Sequence, residues 1–245
     1  MHFRSVLLLA AAVAPIGASI AADKFDESAA IRKFERLGGI VNPHDRTPGR
    51  PVTIVSFRWG SDFADQDVPL LKAFPDLKTL DFSRTKISGT HILGGGLKEL
   101  RGLKQLTTLN LYHTRIGDSG LKELKDLKNL TALDLSATPI TGAGLKELRE
   151  LKHLTRLNLV QTKIADAGLK ELRGFKNLTT LNISGTKITD VGLKELGELK
   201  NLTTLYLSYA KITGVGLKDL KQLKNLTMLN LSMSQITDAG LKEMR

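Results

Sequence analysis

The 245-residue sequence contains no cysteine, which excludes disulfide bonds, zinc sites built on thiolates, cysteine nucleophiles and lipid attachment at a cysteine. Aromatic residues make up only 5% of the chain, whereas leucine recurs throughout it. The core must therefore be built from many similar aliphatic side chains, and not around a few large rings. The stability of the chain rests on packing alone.

Acidic residues are scarcer than basic ones. The chain has 25 Asp and Glu against 36 Lys and Arg, a formal charge of +11. Such a surface could meet an acidic polysaccharide, an anionic lipid or a cell-wall polymer. However, the lysines recur with the repeat described below, which explains the charge without any polyanion, and nucleic acid is disfavoured for an exported chain.

The chain also lacks an apolar run long enough to cross a bilayer, which takes roughly 20 residues. Arg4 precedes an apolar stretch over residues 5–14, and Ser19-x-Ala21 follows as a cleavage site. This order of a basic start, an apolar middle and small residues is typical of a signal peptide. Residues 1–21 are therefore predicted to direct export to the periplasm, the cell envelope or the extracellular space, with no transmembrane helix in the mature chain.

A 24-residue repeat dominates the rest of the chain. From Leu106 onward each unit reads close to L-x-x-L-x-L-x-x-T-x-I-T-D-x-G-L-K-E-L-x-x-L-K-N. The alternation around Leu109 and Leu111 predicts a strand with one buried face. Leucines at every third position after the glycine predict a short helix with one buried stripe. The glycine itself recurs at residues 120, 144, 168, 192, 216 and 240.

One such unit cannot bury its own apolar face, so successive units must stack. Strands lie about 4.8 Å apart, whereas packed helices need roughly 8 to 10 Å, so the stack bends. The predicted fold is an α/β solenoid, a curved right-handed horseshoe with a parallel sheet on its concave face and short helices on its convex face.

The repeat pattern resembles the leucine-rich repeat family over residues 52–245. The I-T-D-x-G-L form is similar to the repeats of exported bacterial leucine-rich repeat proteins and, more distantly, of F-box leucine-rich repeats. This resemblance implies a ligand-binding or scaffold role, usually in protein interaction. No F-box is recognisable, so a ubiquitin-ligase role is not implied. The chain departs from the family where Thr85, Thr114, Thr138, Thr162, Thr186, Ala210 and Ser234 replace the common asparagine or cysteine.

Two repeated polar positions have expected structural roles. The threonine hydroxyls should turn inward and bond loop backbone that would otherwise be buried unpaired. In four of the regular units an aspartate lies where the helix begins, and we expect it to accept the first amide hydrogens of that helix. These aspartates are Asp118, Asp166, Asp190 and Asp238.

The repeat becomes less regular toward the N-terminus. Residues 52–245 contain six regular units preceded by two irregular ones, with an insertion over residues 88–95. Ile31, Phe34 and Leu37 keep a helical spacing, so residues 22–51 are predicted to form an N-terminal helical cap and a linker. At the other end no polar cap is visible after Gly240. Three interpretations of the apolar edge are open, namely a fragment boundary, tolerated exposure and, least favoured, pairing with a second copy.

Candidate contact residues are those that break the repeat on the predicted concave face. Tyr, Trp and Arg favour interface centres because they combine a large contact area with a polar group. The alternative interpretation is that Trp59 fills space beneath the cap and the tyrosines are ordinary surface variation. The candidates are Arg58, Trp59, Arg84, Tyr112, His113, Arg156, Gln161, Tyr206, Tyr209, Met228 and Met233.

Other kinds of site have little support. The histidines have no ligand spacing, so neither a metal nor a cofactor is predicted, and residues 94–96 form a glycine linkage without a phosphate-loop motif. Asp81 and Asp134 share one column two strands apart, about 9.6 Å between backbones, near the upper carboxyl separation of inverting glycosidases. Neighbouring units carry asparagine there, so a glycoside hydrolase is a remote alternative.

The sequence therefore predicts a non-enzymatic interaction or scaffold protein that binds a protein or peptide on its concave face. The alternative is a binder of polyanions or cell-wall polysaccharide. It would use a lysine ridge on the convex helices, formed by Lys122, Lys146, Lys170, Lys194, Lys218 and Lys242.

Overall fold

The computed structural model describes residues 27–42, 50–87 and 96–243. The predicted signal peptide, most of the predicted linker, the insertion over residues 88–95 and the first two glycines of the 94–96 linkage lie outside these residues. Among those that are described, we find no helix with the length and hydropathy needed to span a bilayer.

Each unit contributes one three- or four-residue strand, centred on a leucine or valine that faces the core. In β4, for example, Leu109 is buried while its two neighbours are half-buried, as the period of two requires. The strands are β1 (Gly39–Val41), β2 (Ile54–Phe57), β3 (Thr79–Asp81), β4 (Thr108–Asn110), β5 (Ala132–Asp134), β6 (Arg156–Asn158), β7 (Thr180–Asn182), β8 (Thr204–Tyr206) and β9 (Met228–Asn230).

The strands form a single sheet in the order β1 to β9. From β2 to β9 every pair is parallel and the central apolar residues are in register, as in Leu109↔Leu133 and Leu133↔Leu157. The predicted stacking of units is confirmed. The first strand differs from the prediction because β1 pairs antiparallel with β2. Gly38, with a φ of 83°, reverses the chain after the first helix and lays β1 along the sheet edge.

The helical side of the repeat units consists of short helices of three to nine residues. Leucines spaced by three, such as Leu121, Leu124 and Leu127, match the three residues per turn of a 3-10 helix, and all three are fully buried. The α-helices are α1 (Glu27–Arg36), α2 (Asp118–Leu121), α3 (Gly142–Leu145), α4 (Asp166–Leu169), α5 (Leu193–Leu196) and α6 (Asp238–Lys242). The 3-10 helices are Asp65–Ala73, Gly96–Gly102, Lys122–Asp126, Lys146–Leu148, Lys170–Gly174, Asp190–Gly192 and Val215–Gln222.

Helix α1 packs on the first units through a group of phenylalanine rings. Phe34 of α1 is fully buried, and its ring centroid lies 5.3 Å from those of both Phe63 and Phe74. Phe57 and Phe63 are 4.3 Å apart and Phe82 extends the group. The irregular N-terminal units thus use aromatic packing where the regular units use leucine.

The threonine column has the predicted structural role. Thr114 is 4% exposed, and its hydroxyl donates to the carbonyl of Leu111 at 2.8 Å. The same bond links Thr85 to Phe82 and Thr162 to Leu159. The prediction of an inward hydroxyl that pairs loop backbone is confirmed at these positions.

The prediction for the aspartate column was wrong. The carboxylate of Asp118 accepts the backbone N–H of Thr141 at 2.7 Å and the Thr141 hydroxyl at 2.6 Å, and α2 has no side-chain cap. Asp166 bonds Thr189 in the same way. The aspartate therefore joins one unit to the next, because its carboxylate accepts hydrogen bonds from the threonine that precedes the helix of the following unit.

Asp190 makes the largest set of these bonds. Burial by itself raises the pKa of this carboxyl, but bonds from the Thr213 N–H, the Gly216 N–H, the Thr213 hydroxyl and the Gly214 N–H outweigh burial and hold the pKa below its ordinary value of 3.8. The ionised carboxylate is the form that accepts all four bonds. It should contribute to stability wherever it remains charged.

We expect Asp190→Ala to lower the free energy of unfolding by about 1 to 2 kcal/mol at neutral pH, because buried amides lose their acceptor. Since the folded pKa is depressed, the contribution is complete above pH 3.8 and is lost as the pH falls through the folded pKa. Denaturant unfolding at pH 7 and at decreasing pH measures both effects. Asp62→Ala, which removes an exposed ion pair with Lys86, is the control and should change stability by less than about 0.5 kcal/mol. Equal losses of unfolding free energy in the two variants would contradict a stabilising role for the bonds that join Asp190 to the next unit.

Candidate functional site

The concave face carries the side chains that flank the core leucines and point away from the helices. Most are small or polar, and nearly all are half-buried by their neighbours in the column. One column runs through Ser56, Asp81, Asn110, Asp134, Asn158, Asn182, Tyr206 and Asn230. The next runs through Arg58, Ser83, Tyr112, Ser136, Val160, Ser184, Ser208 and Ser232.

Five of the predicted contact residues share a backbone conformation. They follow the strands at one repeat position where φ is positive, between 55° and 59°, a region that side-chain-bearing residues rarely adopt. Each unit fixes this conformation by donating the backbone N–H at this position to the next unit, as in Arg84 N–H to Tyr112 O and Tyr209 N–H to Ser232 O. The five are Arg84, His113, Gln161, Tyr209 and Met233, and Ala137 and Gly185 complete the left-handed column.

Trp59 lies at the tip of a tight turn that precedes the second unit. The N–H of Ser61 donates to the carbonyl of Arg58 at 3.1 Å, and Gly60 has a φ of 78°, as the third residue of a type II turn requires. The indole is 85% exposed. The alternative interpretation, in which Trp59 fills space beneath the cap, was wrong; the phenylalanine rings occupy that space.

The structure brings the first five candidates together as an N-terminal cluster of Arg58, Trp59, Arg84, Tyr112 and His113. The guanidinium carbon of Arg84 lies 5.4 Å from the Trp59 ring centroid and 5.3 Å from the Tyr112 ring centroid. The rings of Tyr112 and His113 are 5.8 Å apart. Nothing in the spacing of these residues along the chain places Arg84 between two rings; the stacking of units does so.

The other candidates are spread along the face. Arg156 and Tyr206 line a shallow hollow of about 440 Å³ over β4 to β8, together with Asn110, Asp134 and Asn158. Toward the C-terminal units Tyr209, Met228 and Met233 are 65%, 40% and 71% exposed. Gln161 is exposed between these two groups. The eleven residues remain predicted contact residues.

Asp81 and Asp134 are engaged in local structure. One carboxylate oxygen of Asp81 accepts the N–H of Ser83 at 2.8 Å. In Asp134 one oxygen accepts the N–H and the hydroxyl of Ser136, and the other accepts the Asn158 amide at 2.8 Å. Carboxylates that hold turns in this way do not favour the general acid and base roles of the remote glycosidase alternative.

A second groove, of about 850 Å³, runs along the strand starts and was not singled out from the sequence. It is lined by repeated threonines and asparagines. Asn129 donates to the carbonyl of Lys104, and Thr131 donates to that of Thr107. Because these side-chain donors are spent on the preceding unit, the groove is a by-product of stacking.

On the convex face three arginines are paired with glutamates, whereas the predicted lysine ridge is not paired. Arg101, Arg149 and Arg173 each pair with a glutamate of the next unit, namely Glu123, Glu171 and Glu195. The six lysines of the predicted ridge are all exposed, and none of them forms an ion pair within the described part of the chain. The ridge therefore keeps its positive charge. The described residues also hold no group of three or more His, Asp or Glu side chains placed to bind a metal ion.

Comparison with family models gives matches described as leucine rich repeat over residues 176–236 and over residues 104–125, 126–148 and 150–172. Together they span nearly all of β4 to β9. No curated protein matches the sequence at a significant level.

Solved structures share the fold at low sequence identity. An internalin, inlF, from Listeria monocytogenes has a TM-score of 0.54 at 22% identity, covering 67% of this chain and 51% of that one. Internalin C2 from the same organism has a TM-score of 0.56 at 24% identity, covering 74% and 81%. The ectodomain of the plant receptor kinase GASSHO1/SCHENGEN3 from Arabidopsis thaliana, in complex with CASPARIAN STRIP INTEGRITY FACTOR 2, has a TM-score of 0.53 at 20% identity, covering 82% and 26%. The chain thus spans about half of the inlF chain and a quarter of the plant ectodomain.

The positive φ angles of the left-handed column lead to a testable prediction about the stability of the fold. Ala137 has a φ of 53°, so Ala137→Gly relieves a backbone cost of about 1 to 2 kcal/mol against an entropic cost of about 0.5 to 1 kcal/mol. We expect the free energy of unfolding to rise by about 0.5 kcal/mol. In strand β5 the matched Ala132→Gly should lower it by about 0.5 to 1 kcal/mol. Denaturant unfolding distinguishes them, and destabilisation by both variants would be inconsistent with a strained position 137.

Proposed function

Because the chain belongs to the leucine-rich repeat family, we propose that it is a non-enzymatic interaction protein that binds a protein or peptide ligand on its concave face. Domains of this family are generally protein-interaction modules. The plant ectodomain with the same fold is in complex with CASPARIAN STRIP INTEGRITY FACTOR 2, which supports a ligand-binding role.

One observation carries the proposal. On a face made mostly of small polar side chains, the N-terminal cluster brings arginine, tryptophan, tyrosine and histidine together, with the tryptophan almost fully exposed. Large aromatic side chains with polar groups supply much of the binding energy in protein interfaces. Tyr206 and Tyr209 supply further aromatic area along the same face.

We propose in addition that the ligand is met outside the cytoplasm. The basic and apolar N-terminal residues support export, and the plant neighbour is the ectodomain of a membrane receptor. The division into a signal peptide (1–21), a helical cap with linker (22–51) and a repeat domain (52–245) belongs to the same proposal.

Substitution of all three tyrosines tests the concave face. We expect Tyr112→Ala, Tyr206→Ala and Tyr209→Ala together to reduce partner capture from envelope extract at least tenfold, because each truncated interface anchor costs about 1 kcal/mol or more. Quantitative mass spectrometry of the captured proteins is the measurement. The matched control is Val191→Ala with Val215→Ala, since these side chains are 66% and 62% exposed on the helical side and should not alter capture. The same partners at the same yield from both proteins would refute the concave-face proposal.

The unpaired lysine ridge favours one second candidate, a polyanion binder that uses the convex face. Salt separates the two functions, because the screening length falls from about 10 Å at 0.1 M to about 3 Å at 1 M. We expect capture by the wild-type protein to weaken only modestly as salt rises over this range. A steep loss, together with loss of binding to dextran sulfate in Lys122→Gln, Lys146→Gln and Lys170→Gln combined, would instead support the ridge. Lys128→Gln, which breaks an exposed pair with Glu150, controls for charge removal.

A further inference from the structure

Arg84 is held in place before any ligand arrives. Its backbone is fixed in the left-handed column by the N–H bond to Tyr112 O at 2.8 Å. Its side chain lies between the rings of Trp59 and Tyr112 at nearly equal distances, 5.4 and 5.3 Å. A guanidinium that is already positioned loses less rotational freedom on binding than a free one.

Both rings lie within cation–π distance of the Arg84 guanidinium carbon. The guanidinium carries five N–H donors. Within the described part of the chain, only one of them has a partner, the Tyr112 hydroxyl at 3.5 Å, which is at the outer limit of hydrogen-bond distance. The remaining fork matches the two oxygens of a carboxylate.

The charge around Arg84 has no counterpart among the described residues. Neither Arg58 nor Arg84 forms an ion pair in the described ranges. The acidic residue nearest in sequence to each arginine already has a partner. Asp81, nearest to Arg84, accepts the Ser83 N–H, and Asp62, nearest to Arg58, pairs with Lys86 at 2.7 Å. Two exposed arginines and a histidine therefore lie beside two aromatic rings without an acidic partner.

We propose that the N-terminal cluster binds an acidic segment of the protein ligand, with Arg84 donating two hydrogen bonds to one carboxylate. Trp59 and Tyr112 contact the apolar or aromatic side chain next to that carboxylate in the ligand. This inference rests on the proposed function of the concave face and names the chemistry that one end of this face recognises. The aromatic rings beside the arginines favour a peptide, which can carry an apolar side chain next to its carboxylate, over a polyanion without apolar groups.

The fluorescence of Trp59 reports binding, because Trp59 is the only tryptophan in the chain and its ring centroid lies 5.4 Å from the guanidinium carbon of Arg84. The probes are two peptides with blocked termini and the sequences Gly-Glu-Phe-Glu-Gly and Gly-Gln-Phe-Gln-Gly. Titration of the full chain with the Glu peptide should change the Trp59 fluorescence saturably. The Gln peptide should bind at least about tenfold more weakly, since it offers no charged acceptor.

Arg84→Lys is the informative variant because it keeps the charge and removes the planar fork. We expect it to weaken Glu-peptide binding about tenfold and to leave Gln-peptide binding nearly unchanged. Arg149→Lys makes the same chemical change on the convex face, where either side chain can pair with Glu171, and should bind as the wild type does. Unfolding curves of both variants establish that the fold is retained.

Any one of three results would overturn the proposed pairing of Arg84 with a ligand carboxylate. The first is equal binding of the two peptides, and the second is wild-type affinity in Arg84→Lys. The third is no saturable response to the Glu peptide up to about 10 mM, beyond the millimolar affinity of a weak complex. These results leave the wider function separately testable. If the tyrosine variant loses its captured partner while Arg84→Lys retains it, the concave interaction face is supported and the pairing of Arg84 with a carboxylate is contradicted. If the Glu peptide binds through Arg84 but capture does not depend on the tyrosines, the pairing is supported and the extended concave interface is contradicted.

Discussion

Every feature of this fold depends on the inability of one unit to bury its own apolar face. A 24-residue segment offers a few leucines on one side of a strand and a single helical turn, which is too little to form a core. Each unit therefore uses its neighbour as the missing half of its core and as the partner for its backbone. Strand pairing, the left-handed column and the aspartate ties are all bonds between consecutive units. Neighbouring units are thus linked at several points around the solenoid.

This dependence explains why so much of the fold could be predicted. Leucine spacing identifies the strands, and the recurrence of Gly120 and its counterparts gives the unit length without reference to any other protein. Stacking then follows, because the apolar face of Leu109 and Leu111 can be buried only against neighbouring units. The spacing of the helical leucines at every third residue also matches the three residues per turn of the 3-10 helices. These predictions succeeded because they concern contacts that every unit makes identically.

The parts that were missed concern contacts between one unit and the next. Asp118 resembles a helix cap when its own unit is considered alone, and only the position of Thr141 in the neighbouring unit shows its role. The sequence does contain the signal, since Asp118, Asp166 and Asp190 are each followed 23 residues later by threonine.

The left-handed column has no such signal. Arg84, Gln161 and Tyr209 are not residues that prefer positive φ, and the backbone bonds to the following unit fix them there. The candidate contact residues could be chosen by departure from the repeat, but their arrangement around Arg84 required the folded chain.

The ties between units are not uniform along the solenoid. At residue 142 a glycine replaces the aspartate, and Ala165 replaces the threonine 23 residues later, so both ends of the tie are absent together. A Cβ atom added to Gly142 would lie 2.5 Å from the Cα of Gly168, so backbone packs directly on backbone there. The same arrangement recurs where Gly214 replaces the aspartate, since a Cβ atom added there would lie 2.4 Å from the Cα of Gly240. The units on either side of Gly142 remain joined by strand pairing and by the Arg149–Glu171 ion pair. An aspartate introduced at residue 142 would therefore not restore the missing tie, because its side chain would push the two units apart where their main chains now meet.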